Sequence, residues 1–318
     1  MRPLRDILSK LSVFTVIAMS LAIAAVATVH VARHYGWNPT PTALASPSRS
    51  GLDQSSQQEA GFVDPTVQHD GLDSIPTDAP GADVLKRGAL KSGTWLPILM
   101  YHYVRVATPG DRAGFALSVT PADFTAQMDY LKANGYTTLT MRDVDQILLG
   151  QKKAPAKPIA LTFDDGYTDF YTTAAPILRA HGLTATNYIP TQLVGDNPGA
   201  YMTWAEIAEL DQQGFEMAAH SQFHVDVSKV SEQRAKIEIF GARADLEQHL
   251  GHQVVDWAYP YGAFSYAAIK LVHDAGFLSA TTTQGGVYHD AGEMPLLTRV
   301  RVGGGESLAQ FQGAIAKP

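Results

Sequence analysis

From about residue 94 onward, short apolar runs alternate with amphipathic segments that carry helix start and stop signals. In the segment 120–135 (TPADFTAQMDYLKANG), Thr120 precedes a proline, and Phe124, Met128 and Leu131 fall on one helical face before a glycine ends the pattern. The segments TMRDVDQILLG, TWAEIAELDQQG and SYAAIKLVHDAG repeat this scheme. The pattern therefore predicts four capped helices.

Runs typical of buried strands lie between and around these helices: PILMY, YTTLT, PIALTF, ATNYIP, FEMAA, VVDWAYP and FLSATT. Strand and helix alternate over roughly 220 residues, which predicts an α/β fold, either a barrel or an open doubly wound parallel sheet. The number of strands and the absence of a glycine-rich dinucleotide fingerprint favour the barrel.

The chain before this region has a different character. Residues 1–10 carry three positive charges. Residues 11–32 contain no fixed charge, and this uncharged run has about the length that a helix needs to cross a bilayer. This arrangement predicts a transmembrane anchor with residues 1–10 in the cytoplasm; the alternatives are a cleaved signal peptide ending at AVA (25–27) and a buried core helix. Residues 33–93, rich in Pro, Ser, Gln and Gly, are predicted to be a flexible linker to a domain spanning 94–318. Anchor and signal peptide both place that domain outside the cytoplasm, periplasmic or extracellular.

Composition limits the chemistry that the domain can use. The 318 residues carry a formal net charge of −7, which does not suggest a nucleic-acid partner. The chain has no cysteine, so disulfides, thiolate metal sites and cysteine nucleophiles are excluded. A metal site would have to use His, Asp or Glu.

Metal-capable and polar residues follow the predicted strands directly. In a parallel barrel the carboxyl ends of the strands share one rim, where catalytic loops lie. The residues placed there are His102, Asp164, Asp165, His220, His224 and Tyr261.

The adjacent carboxylates of Asp164 and Asp165 repel each other unless a positive charge lies nearby. In HSQFH, His220 and His224 are spaced so that both imidazoles reach one ion from a helical turn or a tight loop. Two imidazoles and one carboxylate make a three-ligand site with an open position, as in catalytic zinc centres. The second carboxylate would then be free to act as general base for the attacking water. The alternative is a helix N-terminus capped by Asp165, with Asp164 solvated.

The motifs TFDDG, HSQFH and PYG together resemble the polysaccharide deacetylases of carbohydrate esterase family 4, which have the NodB-homology fold. The resemblance covers roughly residues 95–305 and implies a distorted (β/α)7 barrel. It implies that Asp165, His220 and His224 bind a divalent metal and that Asp164 is the catalytic base. The ligand set itself favours Zn²⁺, with Co²⁺ or Ni²⁺ as alternatives. It also implies that the backbone N–H of Tyr261 helps to hold the oxyanion.

Two departures from the family pattern stand out. Ala258 occupies the place of an arginine that braces the base, and no Leu-x-His motif follows near the C-terminus. His102, after the first strand, is similar to the acid histidine of a permuted branch that includes the poly-β-1,6-N-acetylglucosamine deacetylases of biofilm assembly; the alternative is a buried histidine that caps a strand. Arg299 or Arg301 is a candidate for the missing brace, the alternative being an outward, solvated arginine.

The resemblance implies a hydrolase that acts on carbon–nitrogen bonds other than peptide bonds. It would remove acetyl groups from an N-acetylglucosamine-containing polysaccharide and release acetate. The alternatives are an inactive glycan-binding scaffold and an O-acetyl esterase that uses the same site. Core packing is expected for Tyr188, Trp204 and Trp257, whereas Tyr261 at the rim is positioned to stack on a sugar. Surface positions are expected for the remaining histidines of the domain, His181, His249, His252, His273 and His289.

Overall fold

A computed structural model of the protein describes residues 93–195 and 199–317. Its strands are short and almost all buried, in agreement with the apolar runs of the sequence. They are β1 (Thr94–Trp95), β2 (Ile98–Tyr101), β3 (Tyr103–Val104), β4 (Ser118–Val119), β5 (Thr137–Leu139), β6 (Pro158–Phe163), β7 (Thr186–Ile189), β8 (Glu216–Ala219), β9 (Asp256–Ala258), β10 (Ser279–Thr281), β11 (Tyr288–His289) and β12 (Val300–Arg301).

The four predicted helices are confirmed, with the threonine or serine that was expected at each N-cap accepting a backbone hydrogen bond. The longest helix, α6, was not among them. The helices are α1 (Arg112–Leu117), α2 (Pro121–Ala133), α3 (Met141–Leu148), α4 (Ala175–His181), α5 (Trp204–Gln212), α6 (Glu232–Leu250), α7 (Tyr266–Asp274) and α8 (Leu308–Ile315). A π-helical turn, Phe170–Ala174, leads into α4, and 3₁₀ turns cover Pro260–Gly262 and Ala291–Leu296.

Within the described ranges, eight strands form one parallel sheet in the order β10-β9-β8-β7-β6-β2-β12, with β5 beside the first half of β6. The chain just before β12 links the two edges of this sheet. Leu297 exchanges backbone hydrogen bonds with β10 and the residue after it, whereas β12 pairs with β2. The sheet is therefore curled, and the parallel α/β architecture predicted from the sequence is confirmed.

The two faces of the curled sheet bury different apolar clusters, because side chains alternate along each strand. Leu161 and Phe163 of β6 pack with residues of the surrounding helices, whereas Ala160 belongs to a second cluster shared with Tyr188, Ala218 and similar inward positions. The same alternation directs Thr162 and then Asp164 toward the inside of the curl.

The predicted segments 1–10 and 11–32, and all of the predicted linker except residue 93, lie outside the described residues. Among residues 93–195 and 199–317, no helix has the length and apolar character needed to cross a bilayer.

Candidate active site

The two aspartates lie where β6 ends. Asp164 continues the inward alternation of the strand and is 3% exposed. The chain then turns through Asp165 and Gly166, both with positive φ (74° and 65°). This sharp turn points the second carboxylate away from the strand direction, so neighbouring residues in sequence have separate surroundings.

The two histidines lie in an irregular loop that follows β8, so the tight-loop alternative for HSQFH is correct and the helical turn is wrong. Nδ1 of His220 lies 2.8 Å from the carbonyl oxygen of Ala258, which fixes the ring so that Nε2 faces Asp165. Nε2 of His220 is 3.4 Å from Oδ1 of Asp165, and Nε2 of His224 is 3.1 Å from the same oxygen.

Asp165, His220 and His224 thus form a candidate metal centre. One ligand atom from each lies within 4.8 Å of the others. A carboxylate and two imidazoles suit a borderline divalent ion such as zinc, and the orientation of His220 by a carbonyl is typical of metal-bound histidines. Burial raises the pKa of Asp165, but the facing imidazoles outweigh this effect and hold its pKa well below the ordinary value. The residues therefore fit a divalent cation by chemistry and by spacing.

Asp164 is held by an arginine from the last strand segment of the sheet. Nη1 of Arg299 donates to Oδ1 of Asp164 and Nη2 donates to Oδ2, each over 2.7 Å. The guanidinium also donates to Thr162 Oγ1 and to the carbonyl of Thr282. Burial raises the pKa of Asp164, but the charge and hydrogen bonds of Arg299 outweigh it and lower the pKa of this carboxyl. The carboxylate therefore stays ionised and fixed in orientation.

Of the two arginines proposed as the missing brace, Arg299 is thus the one that contacts Asp164. Its side chain is fully buried inside the curl, whereas Arg301 is exposed. Ala258, where the family pattern has its arginine, belongs to the inner apolar cluster. The guanidinium group that contacts Asp164 therefore comes from a different strand than in the family pattern.

His102 follows β2, the strand that pairs with β6, and its side chain lies in the same site. Its Nε2 lies 4.0 Å from Oδ2 of Asp164. Its side chain is 11% exposed, and Nδ1 has no hydrogen-bond partner among the described residues. Burial lowers the pKa of His102, and the charges of Asp164 and Asp165 offset this only in part.

Tyr261 lies in the 3₁₀ turn that follows β9. Its ring contacts the imidazole of His224 edge to face, with 4.6 Å between the centroids, and 42% of the residue is exposed. The next residue must be glycine, because a Cβ on Gly262 would lie 2.2 Å from Oγ1 of Thr283. The turn thus presents an open aromatic face directly beside a candidate metal ligand.

Backbone strain is concentrated at this site. In the described part of the chain, the non-glycine residues with positive φ are Asp165, Ser221, His224 and Tyr261. Each such conformation costs roughly 1–3 kcal/mol and persists only where the surroundings enforce it. All four lie on three loops that meet around the candidate metal centre.

Sequence reasoning missed one group near the site and misjudged one histidine. Glu238 of α6 is completely buried and accepts hydrogen bonds from the histidine loop, but α6 itself was not predicted. His289 is fully buried, with its ring beside the buried carboxylate of Glu293, so its predicted surface position is wrong. Tyr188 and Trp257 are buried as expected.

Comparisons with known proteins agree with this geometry. A family profile described as polysaccharide deacetylase matches residues 151–280. The chain is 31% identical over 216 residues to the Bacillus subtilis protein YxkH, named as a polysaccharide deacetylase, with 68% of this chain and 74% of that protein covered. The fold and site are those of an α/β protein with a curled parallel sheet and a carboxylate and two imidazoles at the ends of its strands. The protein belongs to the polysaccharide deacetylase family.

Two further proteins show the range of this similarity. The Escherichia coli K12 poly-β-1,6-N-acetyl-D-glucosamine N-deacetylase is 23% identical over 243 residues. That match covers 61% of this chain but only 35% of the E. coli protein. The structure of the Streptococcus pyogenes deacetylase PplD in complex with acetate superimposes with a TM-score of 0.67 at 27% identity and covers 71% of this chain and 100% of that one.

Proposed function

We propose that the protein is a metal-dependent N-deacetylase that hydrolyses acetamido groups on an N-acetylglucosamine-containing polysaccharide and releases acetate. The observation that carries this proposal is the pairing of two differently held carboxylates. Asp165 faces two imidazoles, and Asp164, its neighbour in sequence, is clamped by Arg299. One carboxylate is thereby suited to bind a cation, and the other is left free to accept a proton.

Asp165, His220 and His224 would hold the ion, with Zn²⁺ as the first choice for this ligand set and Co²⁺ or Ni²⁺ as alternatives. A divalent ion in such a site polarises a carbonyl group and lowers the pKa of water, which is the chemistry that an unreactive amide requires. The protein's own contribution is to keep His220 oriented through Ala258 and to exclude competing protons from Asp165, whose pKa is low.

Asp164 would take the proton of the attacking water. Arg299 keeps its carboxylate ionised and supports both oxygens, so that the base is oriented before substrate arrives. The breaking carbon–nitrogen bond leaves an amine that must gain a proton. Because burial lowers the pKa of His102, its imidazole is largely neutral at neutral pH. Its Nε2 lies 4.0 Å from Asp164, so the proton taken from water has a short path through His102 to the amine.

The rim of the site would bind the sugar and the developing negative charge. The backbone N–H of Tyr261 would donate to the oxyanion, a type of contact worth roughly 3–4 kcal/mol. Its exposed ring, beside His224, offers an apolar face on which a sugar ring can stack.

The substrate class is supported by the names of two relatives. One acts on poly-β-1,6-N-acetyl-D-glucosamine, and the other, a deacetylase, was solved with acetate bound, which is the product expected here. We infer a polymer of the same class for this chain, consistent with a role in exopolysaccharide and biofilm assembly. We also infer that the curled sheet is the family's distorted (β/α)7 barrel, since the segment before β12 bridges its edges.

The proposed location rests on the N-terminal sequence alone. Residues 11–32 are proposed to anchor the protein in a membrane, with 33–93 as a linker and the domain from 94 onward outside the cytoplasm. Release after signal cleavage is the alternative. The orientation is tested by adding protease to one side of membrane vesicles that contain the intact chain. The domain from 94 onward should be cleaved only when the protease is on the non-cytoplasmic side.

The activity is tested by measuring acetate released from β-1,6- and β-1,4-linked N-acetylglucosamine oligomers, before and after treatment with a chelator and after addition of zinc. The proposal expects release that the chelator abolishes and zinc restores. Release from O-acetylated but not N-acetylated oligomers would indicate an esterase. Binding of oligomers without any release, in protein shown to contain metal, would indicate an inactive scaffold.

A further inference from the structure

The loop that carries both histidines is attached to one face of helix α6. Oε2 of Glu238 accepts the backbone N–H groups of Gln222 and Phe223, each over 2.9 Å. These two N–H groups lie between His220 and His224 in the sequence. A single buried carboxylate oxygen therefore fixes the middle of the HSQFH loop.

Two more positions on the same helical face complete this attachment. Three residues beyond Glu238, a Cβ on Gly241 would lie 2.5 Å from the carboxamide of Gln222, so a larger residue there would displace that side chain from its present position. One further turn along, Oδ2 of Asp245 accepts from Nε2 of Gln222 over 3.0 Å. Spacings of three, four and seven residues place all three positions on one stripe of a helix.

The same stripe also fixes the neighbouring loop. Oδ2 of Asp245 accepts from Oγ1 of Thr191 over 2.6 Å and from Nε2 of Gln192 over 2.9 Å, both in the segment after β7. The backbone of that segment in turn bonds to the histidine loop, from Thr191 N to Ser221 O and from Gln192 N to Gln222 O. The loop is thus held on two sides, by a helix and by an extension of the sheet.

This attachment is needed because the loop is strained. Ser221 and His224 have φ values of 62° and 56°, which side chains other than glycine rarely adopt. Without this acceptor, the two N–H groups would favour a relaxed conformation in which the two imidazoles no longer face one oxygen of Asp165. Glu238 is completely buried, and its charge is balanced by Arg234, whose Nη2 is 2.5 Å from Oε1.

We propose that Glu238 is the positioning residue of the metal centre, with Gly241 and Asp245 as its supports: the buried carboxylate enforces the strained loop that aligns His220 and His224. The inference extends the proposed function, since it assigns a role in metal affinity to a helix that contributes no ligand. Residues that orient metal ligands typically change affinity 10–100-fold when they are altered.

The first experiment measures backbone amide exchange in the metal-free protein. Glu238→Ala is expected to speed exchange of the Gln222 and Phe223 amides at least about 10-fold while amides of β2 and α2 keep their protection. In Glu238→Gln, which retains one acceptor oxygen, the exchange rates of these two amides should lie between those of Glu238→Ala and those of the unaltered protein. The matched control is Glu247→Gln, because Glu247 lies on the same helix and bonds to Arg243 and Val254 instead of the histidine loop.

The second experiment measures zinc affinity of the same variants by competition with a chelator. The expected loss is about 10–100-fold for Glu238→Ala, less for Glu238→Gln and Asp245→Asn, and none for Glu247→Gln. Unchanged exchange at residues 222 and 223 in Glu238→Ala would overturn the proposal, as would unchanged zinc affinity. If the unaltered protein bound none of zinc, cobalt and nickel, the proposed function would fail, while the exchange experiment would still judge the role of Glu238.

Discussion

Arg299 and Asp164 are 135 residues apart in the sequence and form a two-pronged ion pair inside the curled sheet, with both N–O distances at 2.7 Å. A planar guanidinium that meets a carboxylate along both oxygens fixes its direction as well as its charge. Because the pair is buried, the carboxylate cannot rotate to solvent. The relationship makes Arg299 as much a part of the proposed base as Asp164 itself.

Replacing Arg299 should therefore reduce turnover. Arg299→Lys keeps the positive charge but loses the fork, and we expect kcat to fall about 10–100-fold with little change in bound metal. Arg299→Ala would leave Asp164 buried and unpaired, which should also lower the free energy of unfolding by about 3–5 kcal/mol. Steady-state acetate release and thermal unfolding measure the two effects.

The control for this prediction is Arg301→Ala. Arg301 belongs to the same strand segment but is exposed, and its charge acts on Asp164 and His102 without the direct hydrogen bonds that Arg299 makes. Its loss should therefore lower kcat far less than the loss of Arg299. Full turnover in Arg299→Lys, or an equal loss in both variants, would contradict the assignment of Arg299.

The neighbouring aspartates should respond differently to the same substitution. Asp165→Asn removes the charge that faces both imidazoles, so the purified protein should lose its metal and its activity together. Asp164→Asn should keep the metal and still lose turnover by about 10²–10⁴-fold, since only the base is removed. Metal content per chain and acetate release, measured on the same samples, test the division of roles.

The two variants control for each other, because both replace a carboxylate by a carboxamide of the same size and the two positions are adjacent in sequence. Retention of metal by Asp165→Asn, or its loss in Asp164→Asn, would show that the roles have been assigned to the wrong residues.

His102 should matter most when the leaving group needs a proton. We expect His102→Asn to slow release of acetate from an N-acetylated oligomer by about 10²–10⁴-fold. Hydrolysis of para-nitrophenyl acetate should change far less, because its phenolate leaves without protonation. A histidine that merely packs beneath β2 would, when replaced, slow both reactions equally, and that outcome would sink the acid assignment.

Much of the site could be predicted because strand ends are visible in sequence. Apolar runs stop just before Asp164 and His220, and the parallel arrangement of β6 and β8 brings such ends to one rim. The choice of Arg299 over Arg301 could not be made, because it depends on which side chain of the last strand points inward. Residues that are two apart on a regular strand point to the same face, which would make Arg299 and Arg301 equivalent. Here the chain leaves β10 and pairs with β2 over this segment, so the two side chains differ in direction.

Helix α6 escaped prediction for a different reason. Gly241 lies in its centre, and Ile237 is 47% exposed, so the apolar positions do not form one clean stripe. Both features have local causes, since the glycine makes room for Gln222 and the buried face is shared with the carboxylate of Glu238. A helix that serves a polar loop cannot also show an uninterrupted apolar face.

The last prediction concerns carboxyl groups at the opposite end of the sheet, where Asp256 begins β9 and Asp145 of α3 lies beside it. Burial raises the pKa of Asp145 to about 7 and raises the pKa of Asp256 well above its ordinary value. The native state therefore holds protons on these two groups that an unfolded chain has already lost above about pH 4. Their contribution to the free energy of unfolding falls as pH rises from there through the pKa of Asp145. Asp145→Asn should flatten this decline and exceed the unaltered protein in stability at pH 8 by on the order of 2–4 kcal/mol.

Urea unfolding across this pH range measures the difference, with Asp274→Asn as the control that removes an exposed carboxylate. Equal pH profiles for the two variants would show that the buried carboxyl groups do not control stability.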